Sequence, residues 1–386
     1  MTAPATTPVR ELQDAAAGDL TITRVEAVPF AIPYRKPLRF ASGEVRTAEH
    51  VLLRVHTTAG VVGQAEAPPR PFTYGETQSS IVAVVDQLFG PALVGTSVLD
   101  RELHRARLHR TIGNPTAKAA LDMATWDAAG QLLGQPVHRL LGGYAESVRV
   151  SHMLGFDDPQ VMVDEAARMR DQHGITTFKV KVGRHPYQLD VAVVRALREA
   201  FGEEVELYVD GNRGWTASES ARAMADMADL GLTLAEELNP ADDVLGRRWL
   251  VQRCPVPFVA DESATRPAEV TREILGGSAT AVSIKTARTG FSESQRVLHL
   301  AEGLGVEVVV GNQIDGQVGT LASVTFAAAH ASTSVRAAEL SNFLDMSDDL
   351  LVEPLTITGG RMAAPTAPGL GLHVDADKLA RYRQDA

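Results

Sequence analysis

Lys179 and Lys181 close the apolar run TTFKVK, Asp210 closes VELYVD, Glu236 closes LTLAE, Asp261 closes VPFVAD and Lys285 closes AVSIK. Counted from Lys181, the intervals are 29, 26, 25 and 24 residues. Each interval suits one strand plus one helix. Three carboxylates on neighbouring strand ends repel one another and take up protons unless a cation joins them. An oxygen-only set without His or Cys selects a hard divalent ion, Mg²⁺ first and Mn²⁺ as its substitute. Lys179 and Lys181 are two apart, so on a strand they share a face, about 6.5–7 Å apart at Cα. Ammonium groups at that separation repel by roughly 2.5 kcal/mol at an effective dielectric of 20, or about 2 pKa units. At least one of them is expected to work as an acid–base group near neutral pH. Lys285 arrives from the opposite side of the same mouth. A divalent ion flanked by lysines suits one reaction class: an enolate-like, doubly charged carboxylate is stabilised while a lysine moves the α-proton.

This convergence needs a scaffold, and the rest of the chain reads as one. After Gly142-Gly143, eight apolar runs alternate with mostly helical stretches: VRVSHML, TTFKVK, VELYVD, LTLAEE, VPFVAD, AVSIK, VEVVVGN and VRAAEL. In DDPQVMVDEAARMRDQHG, Asp158 is placed to cap, Pro159 suits the first turn and Gly174 the stop. Eight strands in this rhythm predict a parallel (β/α) barrel, whose active site lies at the C-terminal strand ends. An open doubly wound sheet is the alternative, but no Gly-rich phosphate turn follows the first strand. Ahead of the barrel, TITRVEAVPFAI and HVLLRVHTTAGVVGQAEA read as strands, the second broken by a turn at Ala59-Gly60. ETQSSIVAVVDQLFG and PTAKAALDMATWDAAGQLLG read as helices, with Ala117, Leu121, Ala124 and Ala128 forming one apolar stripe in the latter. The expected organisation is a disordered tail over 1–20, an α+β domain over 21–143, the barrel over 144–345 and a segment over 346–386. That last segment, with LTITGGRM and PGLGLHVD, is expected to pack back on the α+β domain.

Composition narrows the partners. Lys plus Arg total 37 against 48 Asp plus Glu, a net charge of -11, which argues against a nucleic-acid or anionic-membrane surface. No run approaches the ~18 apolar residues of a membrane span, and the opening residues lack the apolar core of a signal peptide. The single cysteine, Cys254, allows no internal disulfide and reads as inert packing. A reducing cytoplasm fits.

The chain resembles the enolase superfamily, in the branch with muconate lactonizing enzyme, from about Thr21 to its end. AALDMATWDAAGQLLGQPVHRLLGG is similar to the helix and double glycine that lead into the barrel. FKVKVG is similar to the second-strand Lys-x-Lys, and VDGNRGW, AEELNPADD, VADES and SIKTARTG to the segments carrying Asp210, Glu236, Asp261 and Lys285. The resemblance implies a (β/α)7β barrel with an α+β capping domain built from both chain ends. It implies Lys181 as proton donor, Lys179 supporting the substrate carboxylate, and Lys285 as an opposite-face base or an electrostatic group. Asn212, Glu262 and Asp315 are expected around this centre, Asp315 standing where the branch usually carries Glu. The usual Glu-Glu-Pro reads Glu236-Glu237-Leu238. Capping loops YRKPLRFASGEVRT and APPRPFTYGET supply Arg35, Lys36, Arg39, Arg70, Phe72 and Tyr74, a basic and aromatic lid suited to a small planar dianion. His152, ending the first barrel strand, is a further candidate contact. Dipeptide epimerases of the branch carry an Asp-x-Asp after the last strand to hold the substrate ammonium. Here that place reads Glu339-Leu340-Ser341. The resemblance therefore implies Mg²⁺-dependent closure of cis,cis-muconate to muconolactone by a homo-oligomer, an octamer by expectation. The alternatives are o-succinylbenzoate synthase, N-acylamino acid racemase and dipeptide epimerase, all using the same lysines. Outside the superfamily, a Schiff-base aldolase using Lys285 or a barrel retained only for binding are the rivals.

Overall fold

A computed structural model describes residues 20–41 and 43–385. The tail expected over 1–20 lies outside the described residues apart from Leu20. β1 (Ile22–Phe40), β2 (Gly43–Thr57) and β3 (Val62–Ala67) form an antiparallel sheet in chain order. The turn at Ala59-Gly60 separates the last two, as expected. YRKPLRFASGEVRT, expected as a loop, instead continues β1 and β2 as a long hairpin. Its register shifts between Pro33 and Leu38, where Pro33 and Pro37 have no N–H for a ladder. The charged run hides a strand that is held by its backbone partner rather than by burial.

The helix Pro115–Leu133 packs on this sheet with its stripe of Ala117, Leu121, Ala124 and Ala128 fully buried. The approach is close enough that a Cβ on Gly63 would lie 2.0 Å from the Ala124 carbonyl oxygen. Only glycine lets strand and helix meet there.

The eight apolar runs each carry a barrel strand: β4 (Ser147–Leu154), β5 (Thr177–Lys181), β6 (Glu206–Asp210), β7 (Leu232–Glu236), β8 (Phe258–Ala260), β9 (Ala281–Ile284), β10 (Glu307–Val310) and β11 (Ala338–Glu339). They pair in parallel in chain order, and β11 returns beside β4. Among the described residues no backbone ladder joins β10 to β11; the Asn312 N–H bridges to the Glu339 carboxylate at 3.1 Å. Helices fill the crossovers, giving the (β/α)7β barrel. In the first of them, Pro159–His173, Gly174 ends the helix at φ 73°, but the Asp158 side chain makes no capping bond.

Inside the barrel, Tyr208, Leu234, Val259, Ala281 and Val309 form an apolar plug. Two residues further along the same strands come Asp210, Glu236, Asp261, Ser283 and Gly311. Strand side chains alternate with period two, so the dry plug and the polar mouth above it are one pattern.

The last segment divides its contacts. β12 (Arg361–Ala363) pairs antiparallel with β4 of the barrel, which the tail reading did not anticipate. The segment meets the N-terminal unit on both sides of β12: Ser347 N–H donates to the Pro33 carbonyl at 2.9 Å before it, and Leu370 N–H to Asp127 at 2.7 Å and Gln384 N–H to the Pro29 carbonyl at 2.9 Å after it. No helix among the described residues is long and apolar enough to cross a membrane.

Candidate active site

The strand ends bring the three acids and three lysines into one buried cluster. Lys179 Nζ lies 2.9 Å from Asp210 Oδ2, 2.9 Å from Glu236 Oε2 and 2.6 Å from Glu339 Oε1. Lys181 Nζ donates to Asp210 Oδ2 and to Asn212 Oδ1, each at 2.6 Å. Across the mouth, Lys285 Nζ donates to Asp261 Oδ2 at 2.6 Å, and Arg288 Nη1 to Asp261 Oδ1 at 2.6 Å. Gly311 makes room for the lysine stem, since a Cβ there would lie 2.7 Å from Lys285 Cε. Arg288 also donates to the Tyr74 hydroxyl at 2.9 Å. Tyr74, Arg70 and Thr73 roof the pocket, and Asn312, Gln313 and Ile314 form one wall. A larger cavity of about 500 Å³ lies beyond Tyr74 and Arg288, but none of the three acids or three lysines lines it.

Burial works against charge everywhere here, and neighbours decide the outcome. Burial disfavours the ionised form of Asp210, yet Lys179, Lys181 and Lys285 outweigh it and hold the carboxyl below its usual range. Lys285 and Arg288 do the same for Asp261. Lys179 departs from expectation: burial alone would depress it, but Asp210, Glu236 and Glu339 raise it well above the ordinary lysine value. Mutual repulsion of two ammonium groups loses to the surrounding carboxylates. Burial pushes Glu262 up to about 7, with Asp261, Glu237 and Asp210 adding to it. Asp315 also reaches about 7, through burial and then Glu66.

Among the described residues no three acidic or imidazole side chains stand together as a ready ligand set; cationic side chains contact the acids instead. Glu236 is nevertheless left incomplete. It is fully buried; Oε2 has only the Lys179 ion pair at 2.9 Å, outside hydrogen-bond geometry, and Oε1 has no hydrogen-bond donor. Burial, with Asp210 and Asp261 beside it, raises its pKa well above the carboxyl range despite Lys179. Buried polar atoms rarely go unmet. An all-oxygen donor set with a buried carboxylate oxygen left unmet fits a hard divalent cation.

Of the other expected residues, Asn212, Glu262 and Tyr74 line the pocket. Asp315 lies behind it, accepting from Asn312 Nδ2 at 3.1 Å. Two candidates are not brought to the site. His152 is buried between Ser341 Oγ at 2.9 Å and Glu165 Oε1 at 3.1 Å, a structural histidine. Arg39 is on the exposed hairpin, paired with Glu44 at 2.8 Å. Of the expected lid, Lys36 pairs with Glu165 and Phe72 is 81% exposed. Glu339 and Arg288 are the site residues that the sequence reading missed. The strand-end rule that found the other acids also gives Glu339, the last residue of β11 and the one before the end of VRAAEL. Arg288 sits three residues after Lys285, at the start of its helix, and nothing in its spacing marks it.

Comparison with known proteins follows the same lines. Residues 22–142 match "Mandelate racemase / muconate lactonizing enzyme, N-terminal domain", and residues 161–378 match "Enolase C-terminal domain-like". A muconate lactonizing enzyme from Mycobacterium smegmatis, solved with muconolactone, is 65% identical; the match covers 95% of this chain and 100% of that one, with a TM-score of 0.94. An L-Ala-D/L-Glu epimerase from Bacillus subtilis is 32% identical, over 92% of this chain and 97% of the relative. A dipeptide epimerase from Enterococcus faecalis, solved with Mg and L-Leu-L-Tyr, is 27% identical with a TM-score of 0.86, over 92% of this chain and 99% of that one.

Proposed function

The chain belongs to the mandelate racemase/muconate lactonizing enzyme family of the enolase superfamily, and from that premise we propose that it is a muconate cycloisomerase. It closes cis,cis-muconate to muconolactone. The observation that carries this choice is the state of Glu339. In the place where an epimerase holds its substrate's ammonium, this carboxylate already accepts from Lys179 at 2.6 Å, Tyr208 at 3.3 Å and the Asn312 N–H at 3.1 Å. The second position is Ser341, whose hydroxyl meets His152 and donates to the Ser151 carbonyl. No carboxylate remains there for an ammonium. The 65% identity to a muconate lactonizing enzyme supports the same reading.

Charge accounting agrees. Asp210, Glu236, Asp261 and Glu339 face Lys179, Lys181, Lys285 and Arg288. With a divalent cation bound and Glu236 ionised against it, four negative groups stand against four positive ones, so the charge of the cation is matched by a dianion rather than by a dipeptide with its extra ammonium. Mg²⁺, with Mn²⁺ as substitute, would be held by Asp210, Glu236 and Asp261 and would supply Lewis-acid stabilisation of a substrate carboxylate. Arg70 on the roof supplies a positive charge for the distal carboxylate. An oxygen of that carboxylate bonds to the ring-closing carbon, and the π electrons move toward the other carboxylate. Lys179 and Lys285 stabilise that charge from two sides. Lys181, oriented by Asp210 and Asn212, then delivers one proton to carbon, so a dianion and a proton become a monoanionic lactone. The reading carries a cytoplasmic setting and a homo-oligomer.

The test is a side-by-side assay with Mg²⁺ and with EDTA. Loss of muconate ultraviolet absorbance is expected with Mg²⁺ only. Cα–H exchange of dipeptides or N-acylamino acids without muconate turnover would refute the reading.

A further inference from the structure

Glu237 follows Glu236 in the chain and takes no part in the pocket. It is fully buried and sits at φ 41°, a left-handed conformation unusual for a side-chain-bearing residue. The turn aims its carboxylate at the next strand end. There Oε2 accepts the Asp261 N–H at 2.6 Å and the Ser263 hydroxyl at 2.9 Å. Glu237 therefore grips both neighbouring acids, Glu236 through the chain and Asp261 through its amide. What holds Glu237 is Arg247, in the helix Val244–Val251 that follows β7. Arg247 is 0% exposed. Its Nη1 donates to Glu237 Oε1 at 2.5 Å and to the Asn239 carbonyl at 3.2 Å, and its Nη2 donates to Ser263 Oγ at 2.9 Å. Nε reaches Glu273 at 3.3 Å, and Glu273 is also bonded to Arg272 near the surface.

A fully buried ion pair is poor evidence of stabilisation, because well-packed apolar residues often do as well or better. This one spends all three guanidinium nitrogens on the segments that carry Glu236 and Asp261 or on Glu273. Strained backbone tends to gather where function needs it, and the strained residue here is the link itself. We propose that Arg247 is a positioning residue for the metal ligands: acting through Glu237, it sets the separation of the Glu236 and Asp261 carboxylates. The inference rests on the reading that these two acids, with Asp210, hold Mg²⁺.

Calorimetric titration of Mg²⁺ into the metal-free protein tests it, with thermal melting of the same samples. Arg247→Met alone leaves Glu237 unpaired and risks misfolding. The double variant Arg247→Met/Glu237→Gln removes both charges together and leaves no lone buried ion between them. It is expected to melt within a few degrees of the parent while its Mg²⁺ dissociation constant rises at least tenfold, in the range of about 10–100-fold seen when outer partners of metal ligands are changed. Arg247→Lys keeps the charge but loses the fork and is expected to fall between. A dissociation constant within twofold of the parent in the double variant, with the protein folded, overturns the inference. So does a weakened affinity that Arg247→Lys restores only in proportion to melting temperature. Absence of Mg²⁺ binding by the unsubstituted protein would instead overturn the metal reading itself.

Discussion

Replacing Glu236 by Gln should have opposite effects on the metal-free and metal-bound protein. Without metal, the carboxylate has one favourable neighbour, Lys179 Nζ at 2.9 Å. At an effective dielectric of 20 that attraction is about 6 kcal/mol. Against it stand a burial penalty of several kcal/mol for each ion and repulsion from Asp210, Asp261 and Glu339. The raised pKa places the balance on the side of the neutral form. A neutral isostere therefore costs the metal-free protein about 1 kcal/mol or less, and can stabilise it. With Mg²⁺ at 100 times its dissociation constant, the parent gains about 2.7 kcal/mol. If Gln weakens binding about 100-fold, the variant gains only about 0.4 kcal/mol at the same concentration. At roughly 2 °C per kcal/mol for a chain of this size, the Mg²⁺-induced shift should shrink from about 5 °C to under ~1 °C. Melting curves in EDTA and in Mg²⁺ read both arms. A metal-free variant destabilised by more than about 3 kcal/mol, or one with the parent's Mg²⁺ shift, would refute the reasoning.

Lys181→Ala should lower turnover by about 10²–10⁴-fold, the usual share of a general acid, while calorimetry shows Mg²⁺ affinity within a few-fold of the parent. Substantial turnover in that variant would remove the role given to Lys181. Arg70→Met should raise the KM for muconate by roughly 10–100-fold, the worth of a charged hydrogen bond, with a smaller effect on kcat; an unchanged KM would place the distal carboxylate elsewhere. Glu262 and Asp315 are raised from 4.5 and 3.8 to about 7, so the folded protein binds their protons more tightly than the unfolded chain. Their contribution is complete below about pH 4 and is lost as pH rises to 7. The metal-free melting temperature should accordingly fall from pH 5 to 7.5, less steeply in Glu262→Gln and Asp315→Asn, and equal slopes in all three proteins would contradict it. Glu165, lowered to about 2 from 4.5 against burial by His152 and Lys36, acts oppositely, losing its contribution as pH falls from 4.5 toward 2.

The barrel and the inner ring of acids and lysines were legible because one rule governs both. Strand periodicity sets which residues point inward, and the chain length of a strand–helix unit sets which strand end they reach. That rule needs no knowledge of loops, and it locates Lys179, Lys181, Asp210, Glu236, Asp261 and Lys285. Arg39 and His152 stand outside the pocket for different reasons. Arg39 was placed by charge alone, yet its hairpin is pinned by β2 and leaves it facing Glu44. His152 has the right strand end but finds two buried partners outside the pocket. Arg288 and Arg247 were invisible because helix residues reach the strand ends only through tertiary packing. Lys179 differs from the expectation of a lowered pKa because three carboxylates, Asp210, Glu236 and Glu339, outweigh burial and the neighbouring ammonium.

In the proposed site, Asp210, Glu236 and Asp261 share one divalent ion at the foot of the lysine-flanked pocket. Crystals soaked in Mn²⁺ and measured for anomalous scattering test it most directly. A single peak within coordination distance of all three carboxylates, with Lys179 and Lys285 drawn aside, is the predicted result. A peak bound elsewhere, or acids still paired to their lysines with no ion between them at saturating Mn²⁺, would contradict this arrangement.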